Sequence, residues 1–321
     1  MPTAKYLTKI EKERYRLLEY SAGHISFDEP LAQYTTFGIG GPAQCMIYPD
    51  NRNELSTLLK YVHSNKIPAI FIGSGSNLLI WDKGFEGVVI SLRKTFKELL
   101  IKTNLTISVQ SGVMLGTMVK EARKHNICGL ESLVGVPGTL GGALIMNAGA
   151  FGSEISKYFE EAKTMTLEGN IKSYSRGEIE FSYRHSTFPN NEILLDATFK
   201  CKKGKPDQIL QDRKVASDGR KSNQPLKFRS AGSIFKNPSD TLAAGYLIDK
   251  AGLKGTKKGG AAISEKHANF IVNMGNATAA DVLHLIKLAK KYVIKKFNIN
   301  LELEVKLIGF PQSMTQGVYY A

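Results

Sequence analysis

The sequence reads as a multidomain globular protein that mixes helices with strands. Three observations predict this. The chain has 321 residues, 42% of them hydrophobic, enough for more than one core. Apolar runs of strand length are interleaved with segments patterned at helical spacing. A Gly- and Pro-punctuated charged run at 203–206, "KGKP", marks a boundary two-thirds of the way along.

The elements follow in order. The first 20 residues are charged and polar, without the apolar run of a secretory signal, and are expected to form a short helix. Residues 28–50 read as extended. In "NRNELSTLLKYVHSNKI", Leu55, Leu58, Leu59 and Val62 fall on one helical face, and Asn53 is the expected cap. Strands are expected at 67–73, 87–92 and 104–112, then a helix at 114–127. Residues 162–175 read as a hairpin turning at Gly169–Asn170, and 192–202 as a further strand. Past the boundary come a helix at 206–221, a short helix at 240–251 stopped by Gly252, and a strand at 267–273. The clearest helix spans 278–297. Thr278 and Asp281 fit a capping box, and Val282, Leu285, Ile286, Ala289, Val293 and Phe297 form its apolar stripe. An alternating strand at 301–310 closes the chain.

Composition narrows the function. Cys45, Cys128 and Cys201 are far apart and form no CxxC pair, and the six histidines lack metal-ligand spacing. A metal site is not expected, and the compartment is expected to be reducing, hence cytoplasmic. No stretch approaches the ~18 apolar residues of a membrane helix. The 43 Lys and Arg against 29 Asp and Glu leave a formal charge of +14. That excess suits a solvated basic surface or small anionic ligands. Neither an RNP-like aromatic pattern nor a zinc finger speaks for nucleic acid.

Two neutral loops rich in Gly, Ser and Asn stand out: "GSGSNLL" (73–79) and the stretch from Gly135 to Gly149 within "VGVPGTLGGALIMNAGAFG". Successive backbone N–H groups in such loops can form an anion-binding concavity. "GIGGPA" (38–43) matches GxGxxA on paper, but Pro42 and an extended segment follow where a Rossmann fingerprint needs a helix. No glycine loop supplies the Lys-Ser/Thr of a P-loop. On residues alone, two structural turns compete with a dinucleotide cradle.

Eight motifs in order carry a resemblance: "YTTFGIGGPA", "GSGSNLL", "GLESLVGVPGTLGGALIMNAGAFG", "FSYRHSTF", "RSAGSIFKNP", "AGYLIDKAGLKG", "AAISEKHANFIVN" and "LELEVKLIG". Over roughly residues 28–310 the chain resembles the UDP-N-acetylenolpyruvoylglucosamine reductase family. The resemblance implies an α+β fold: a two-subdomain FAD-binding module of the PCMH/vanillyl-alcohol-oxidase type at 28–204, then a substrate-binding domain at 205–321, with 1–27 as an extension. It implies bound FAD, NADPH as hydride donor, and a UDP-sugar enolpyruvate as acceptor, in a protein expected to be monomeric. Matching motifs assign the cofactor to Gly73, Ser74, Gly75, Ser76, Asn77 and Leu78 and to Pro137, Gly138, Thr139, Gly142, Ala143 and Gly149. Catalysis falls to Arg184, Ser233 and Glu304. Spacing does not separate Ser230 from Ser233; the family motif selects Ser233. Asn237 matches a substrate contact, and Tyr183, Arg229 and Lys236 join it by position. The short connection after "YRHSTFPNN" implies the family type without an extra tyrosine-bearing loop.

Overall fold

Leu55, Leu58, Leu59 and Val62 are all buried, as their spacing predicts, on a helix at Arg52–Ser64. The computed structural model that shows this describes Leu17 and residues 24–318; the helix expected in the first 20 residues lies outside that range except for Leu17, which is helical and buried. Asn51, not Asn53, is the cap. Its Oδ1 accepts the Glu54 N–H at 3.0 Å, and its φ of −152° is extended, whereas Asn53 is already inside the first turn. A cap must sit before the first helical residue, which places it two positions ahead of Asn53.

The described chain divides into two compact units. Of the described residues, the first comprises Leu17, 24–29, 44–74 and 86–219, and the second 30–43, 75–85 and 220–318.

Two sheets build the first unit. A four-stranded sheet runs in the order Ile25–Pro30, Pro42–Ile47, Phe85–Ile90, Ala69–Phe71, with the last two parallel. The helix Arg52–Ser64 shares a core with Cys45, Ile47, Val88 and Ile90 from this sheet. A five-stranded sheet runs Ile171–Ser175, Phe159–Thr166, Glu192–Lys200, Thr106–Gln110, Leu99–Ile101, antiparallel throughout. The hairpin turns at Gly169–Asn170 as expected, where the Thr166 N–H meets the Asn170 carbonyl at 2.9 Å. Helices at Leu115–Lys124 and Leu140–Ile145 pack on this second sheet through Leu115, Met118, Leu140 and Leu144. Glu192 is a buried carboxylate in the same sheet. It accepts from Lys172 Nζ at 2.8 Å and from the Thr164 and Tyr174 hydroxyls. Those partners offset the desolvation and leave its pKa below the ordinary carboxylate value.

The second unit is organised around the helix Ala279–Phe297. Val282, Leu285, Ile286, Ala289 and Val293 are buried along it, as the stripe predicts. The capping box forms. Thr278 Oγ1 accepts the Asp281 N–H and Asp281 Oδ2 accepts the Thr278 N–H, each at 3.1 Å. The Asp82 carboxylate takes the next two, from Ala279 and Ala280. The first-turn donors that a helix leaves unpaired are thereby satisfied by side chains. A three-stranded sheet (Lys257–Lys258, Ala261–Ile263, Ile271–Asn273) and the helix Ala244–Lys250 cover this helix. Gly252, at φ 78°, follows the short helix as expected. Only Lys306–Ile308 of the expected final strand joins a ladder, pairing parallel with Leu78–Ile80. Residues 301–305 still alternate, Leu301, Leu303 and Val305 inward and Glu302 and Glu304 half-buried. A strand, not a helix, follows "GIGG", as the Pro42 argument requires.

Candidate active site

The two glycine loops meet in the first unit. A Cβ on Gly73 would overlap Thr139 Oγ1, so any side chain there would force the buried Thr139 to shift where the "GSG" turn closes on the second loop. Thr139 is buried and precedes the helix Leu140–Ile145, on whose first turns Gly142 and Ala143 lie. The Gly138 carbonyl accepts the Leu115 N–H at 2.9 Å, and Pro137 sits one residue earlier. Ser74 follows Gly73, and its hydroxyl is buried with no hydrogen-bond partner among the described residues.

The same stretch holds the hairpin that carries Arg184. Phe181–Ser182 pairs with His185–Ser186, so Tyr183 and Arg184 form the turn. Arg184 sits at φ 56°, and its guanidinium lies 5.0 Å from the centre of the half-exposed Tyr183 ring. Its Nη1 is 3.5 Å from where a Gly149 Cβ would stand, and Glu154 Cγ is 2.8 Å from the same point. Gly149 therefore leaves room for Arg184 and Glu154 together. Two side-chain bonds tie hairpin to loop. Ser186 Oγ donates to the Ile145 carbonyl at 2.7 Å, and Asn147 Nδ2 donates to the Ser182 carbonyl at 3.0 Å. Neither tie is visible as local periodicity, and sequence reasoning missed Asn147 and Glu154.

In the second unit the rest of the first loop meets the Ser233 and Glu304 segments. Gly75 at φ 61° lies against the Tyr34 carbonyl, and Thr36 Oγ1 reaches both the Ser76 carbonyl (3.5 Å) and the Ser230 carbonyl (2.7 Å). Asn77 Nδ2 donates to the Glu304 carbonyl at 2.9 Å, and the Asn77 carbonyl accepts the Lys306 N–H at 3.0 Å. Leu78 begins the strand paired with Lys306–Ile308. The loop and the segment bearing Glu304 are thus one hydrogen-bonded piece.

Ser233 lies between two neighbours. It bridges Phe270 on one side, while Phe235 bridges Leu303 on the other. The Glu304 N–H donates to the Ile234 carbonyl at 2.9 Å. Asn269, buried, acts as a stand-in strand. Its Oδ1 accepts the Phe235 N–H (2.9 Å), its Nδ2 donates to the Phe235 carbonyl (2.8 Å), and its own carbonyl accepts the Ile234 N–H (2.8 Å). With those groups paired, the backbone around Ser233 is fixed.

The remaining expected substrate residues also lie in the second unit. Arg229 packs on Gly38, where a Cβ would overlap its side chain, and its carbonyl accepts the Asn273 N–H at 2.9 Å. Together with Thr36, Phe228 and Phe270 it lines an open hollow of about 330 Å³. Lys236 Nζ is 2.6 Å from Glu302 Oε1. Asn237 is exposed, its Oδ1 accepting the Ala244 N–H at 3.1 Å. Among the described residues no cluster of three His, Cys, Asp or Glu could hold a metal ion, and no helix is long and apolar enough to cross a membrane. Burial pushes the Cys201 thiol up to about 12.

These features fit a bound dinucleotide. A glycine turn whose Cβ would clash with Thr139, a second glycine loop packed against it and a buried Ser74 hydroxyl without a partner among the described residues together make a cradle of main-chain and hydroxyl groups. Gly73→Ala is expected to weaken FAD binding by about tenfold or more, because overpacking a closed turn costs roughly 1–3 kcal/mol. A flavin titration of the apoprotein checks this. Unchanged affinity would detach the Gly73–Thr139 contact from the cofactor.

Comparison with known proteins agrees. Residues 43–175 match the FAD binding domain family, and residues 224–308 match the family described as UDP-N-acetylenolpyruvoylglucosamine reductase, C-terminal domain. The chain is an FAD-dependent oxidoreductase of α+β fold. It is 41% identical over 288 residues to the UDP-N-acetylenolpyruvoylglucosamine reductase of Caldanaerobacter subterraneus subsp. tengcongensis, covering 89% of this chain and 94% of that one. A reductase of the same name from Clostridioides difficile (strain 630) is 42% identical over 286 residues, 89% and 93% of the two chains. The crystal structure of the enzyme from Thermus caldophilus superposes with a TM-score of 0.75 at 36% identity, over 88% of this chain and 98% of that one. The chain therefore belongs to the UDP-N-acetylenolpyruvoylglucosamine reductase family, as the motif order implied.

Proposed function

We propose that Arg184, Ser233 and Glu304 carry the second half of this enzyme's reaction, the NADPH-dependent reduction of UDP-N-acetylglucosamine enolpyruvate to UDP-N-acetylmuramate. Bound at the glycine loops, FAD would supply the two-electron carrier through which hydride from NADPH reaches the enolpyruvyl double bond. The protein's part is to hold, polarise and protonate. Main-chain groups and hydroxyls along Gly73, Ser74, Gly75, Ser76, Asn77 and Leu78 and along Gly138, Thr139, Gly142, Ala143 and Gly149 hold the cofactor, with Pro137, which has no N–H to donate, in contact with it. Tyr183, Arg229, Lys236 and Asn237 hold the substrate. The cofactor module spans 28–204 and the substrate domain 205–321.

The substrate carboxylate adjoins the double bond. Hydride arriving at the far carbon pushes charge onto the carbon beside that carboxylate. The Arg184 guanidinium, always charged and planar, stabilises this developing enolate. Ser233 Oγ–H delivers the proton to that carbon. A hydroxyl is a weak acid, but an enolate carbon is a strong base, so a positioned hydroxyl suffices. Glu304 polarises the intermediate.

The observation that carries the assignment is the pairing of the Ser233 and Glu304 segments. Residues far apart in sequence are joined by the Phe235–Leu303 bridge and the Glu304 N–H bond to Ile234. Glu304→Gln is expected to slow enolpyruvyl reduction by about 10- to 100-fold, in line with loss of a polarising group. Single-turnover kinetics from the reduced enzyme read this step alone, and an unchanged rate would remove Glu304 from the site.

The enzyme acts on small anionic molecules, and the basic surface suits them. All three cysteines are free. That suits a reducing, cytoplasmic setting. The proposal extends to a monomer serving wall-precursor synthesis, and through it cell shape and division, with no nucleic-acid or membrane partner.

A further inference from the structure

We propose that Asn147 is a positioning residue for Arg184, acting through the hairpin 181–186; this rests on the catalytic reading of Arg184 above. Asn147 is wholly buried in the middle of the glycine stretch, with φ 42°. Asparagine tolerates this left-handed conformation better than most residues. All its side-chain bonds leave the stretch. Nδ2 donates to Glu154 Oε2 at 2.8 Å and to the Ser182 carbonyl at 3.0 Å, and Oδ1 accepts the Ser156 N–H at 3.4 Å.

One of these bonds ends on Glu154, which stands at Gly149 together with Arg184. Glu154 Cγ and Arg184 Nη1 stand 2.8 Å and 3.5 Å from the point a Gly149 Cβ would occupy. The Asn147 amide thus holds both Glu154, at that point, and Ser182, the residue before the Tyr183–Arg184 turn. Ser182 is also half of the Ser182–His185 pair that sets the hairpin register. Arg184 occupies a left-handed conformation that a non-glycine residue adopts at a cost of roughly 1–2 kcal/mol, so something must hold the turn. The Asn147 amide and the Ser186–Ile145 bond do so. Because Asn147 is part of the cofactor stretch itself, the bond fixes Arg184 relative to that loop.

The test separates the side chain from the backbone. Asn147→Gly keeps a residue at home at positive φ and deletes only the amide. Anaerobic stopped-flow on the FAD-loaded enzyme reads both half-reactions. Flavin content and bleaching by NADPH are expected to stay within about threefold. The return of colour on adding the enolpyruvate is expected to slow by about 100-fold, the scale of a 1 Å misplacement of a catalytic group. In an Arg184→Ala background the same change is expected to slow the return by no more than about threefold further, since residues acting as a unit are non-additive. A full additional loss in that background, or equal slowing of both half-reactions, overturns the proposal and leaves Asn147 a fold residue. If Arg184→Ala alone leaves the return unchanged, the catalytic reading of Arg184 falls with it. If Asn147→Gly does not retain flavin, Ser186→Ala, which cuts the other tie, is expected to slow the return by about tenfold. An unchanged return in Ser186→Ala would overturn the proposal in that case.

Discussion

Ser233→Ala is expected to bleach with NADPH at a rate within about threefold of the parent and then return its colour at least 1,000-fold more slowly, near the upper range for loss of a positioned general acid. The substitution removes one hydroxyl and little else. The main chain that follows it is held by groups the variant keeps: the Asn269 side chain and carbonyl on Phe235 and Ile234, and the Glu304 N–H on Ile234. A collapse of the segment is therefore a poor explanation for a slow second step. Proton delivery belongs only to the enolpyruvyl half of the reaction, so the asymmetry between halves is the diagnostic. Equal damage to both would mean that Ser233 supports the fold.

Arg184→Ala is expected to slow the return by about 100- to 1,000-fold, the range for removing one preorganised group from a developing oxyanion. Flavin content should survive, because the contacts between the glycine loops involve Gly73 and Thr139 rather than the guanidinium. Arg184→Lys is expected to recover only part of the rate, since an ammonium lacks the planar fork that matches a carboxylate. Loss of the yellow colour in Arg184→Ala would instead make the residue part of the cofactor's support.

Much of the fold was legible because its signals are local. The stripe Leu55, Leu58, Leu59, Val62, the Gly169–Asn170 turn and the Thr278–Asp281 box each depend on residues a few positions apart. The Asn53 assignment failed by two residues for the same reason: Asn51 and Asn53 are both good caps, and only the backbone shows where the helix begins. The glycine loops were legible as loops, and the ordered motifs carried the family. What stayed hidden were long-range bonds from side chains to main chain. Asn147 to Ser182, Asn269 to Phe235 and Thr36 to Ser230 leave no periodicity. The Lys236–Glu302 pair is similar: Lys236 is read as a substrate contact, and nothing local marks Glu302 as its partner. Chain excursions were equally invisible, and residues 30–43 and 75–85 keep company with 220–318 rather than with their sequence neighbours.

The central claim is that one bound flavin links NADPH to the enolpyruvyl group. The most direct measurement is an anaerobic visible spectrum of the FAD-loaded protein, taken before and after NADPH and again after UDP-N-acetylglucosamine enolpyruvate. A flavin band that bleaches with the first addition and returns with the second is the predicted result. Bleaching without return would leave a flavoprotein with a different acceptor. A protein that shows no flavin band even after incubation with FAD would contradict the account at its base, and the loops at 73–79 and 135–149 would then be turns alone.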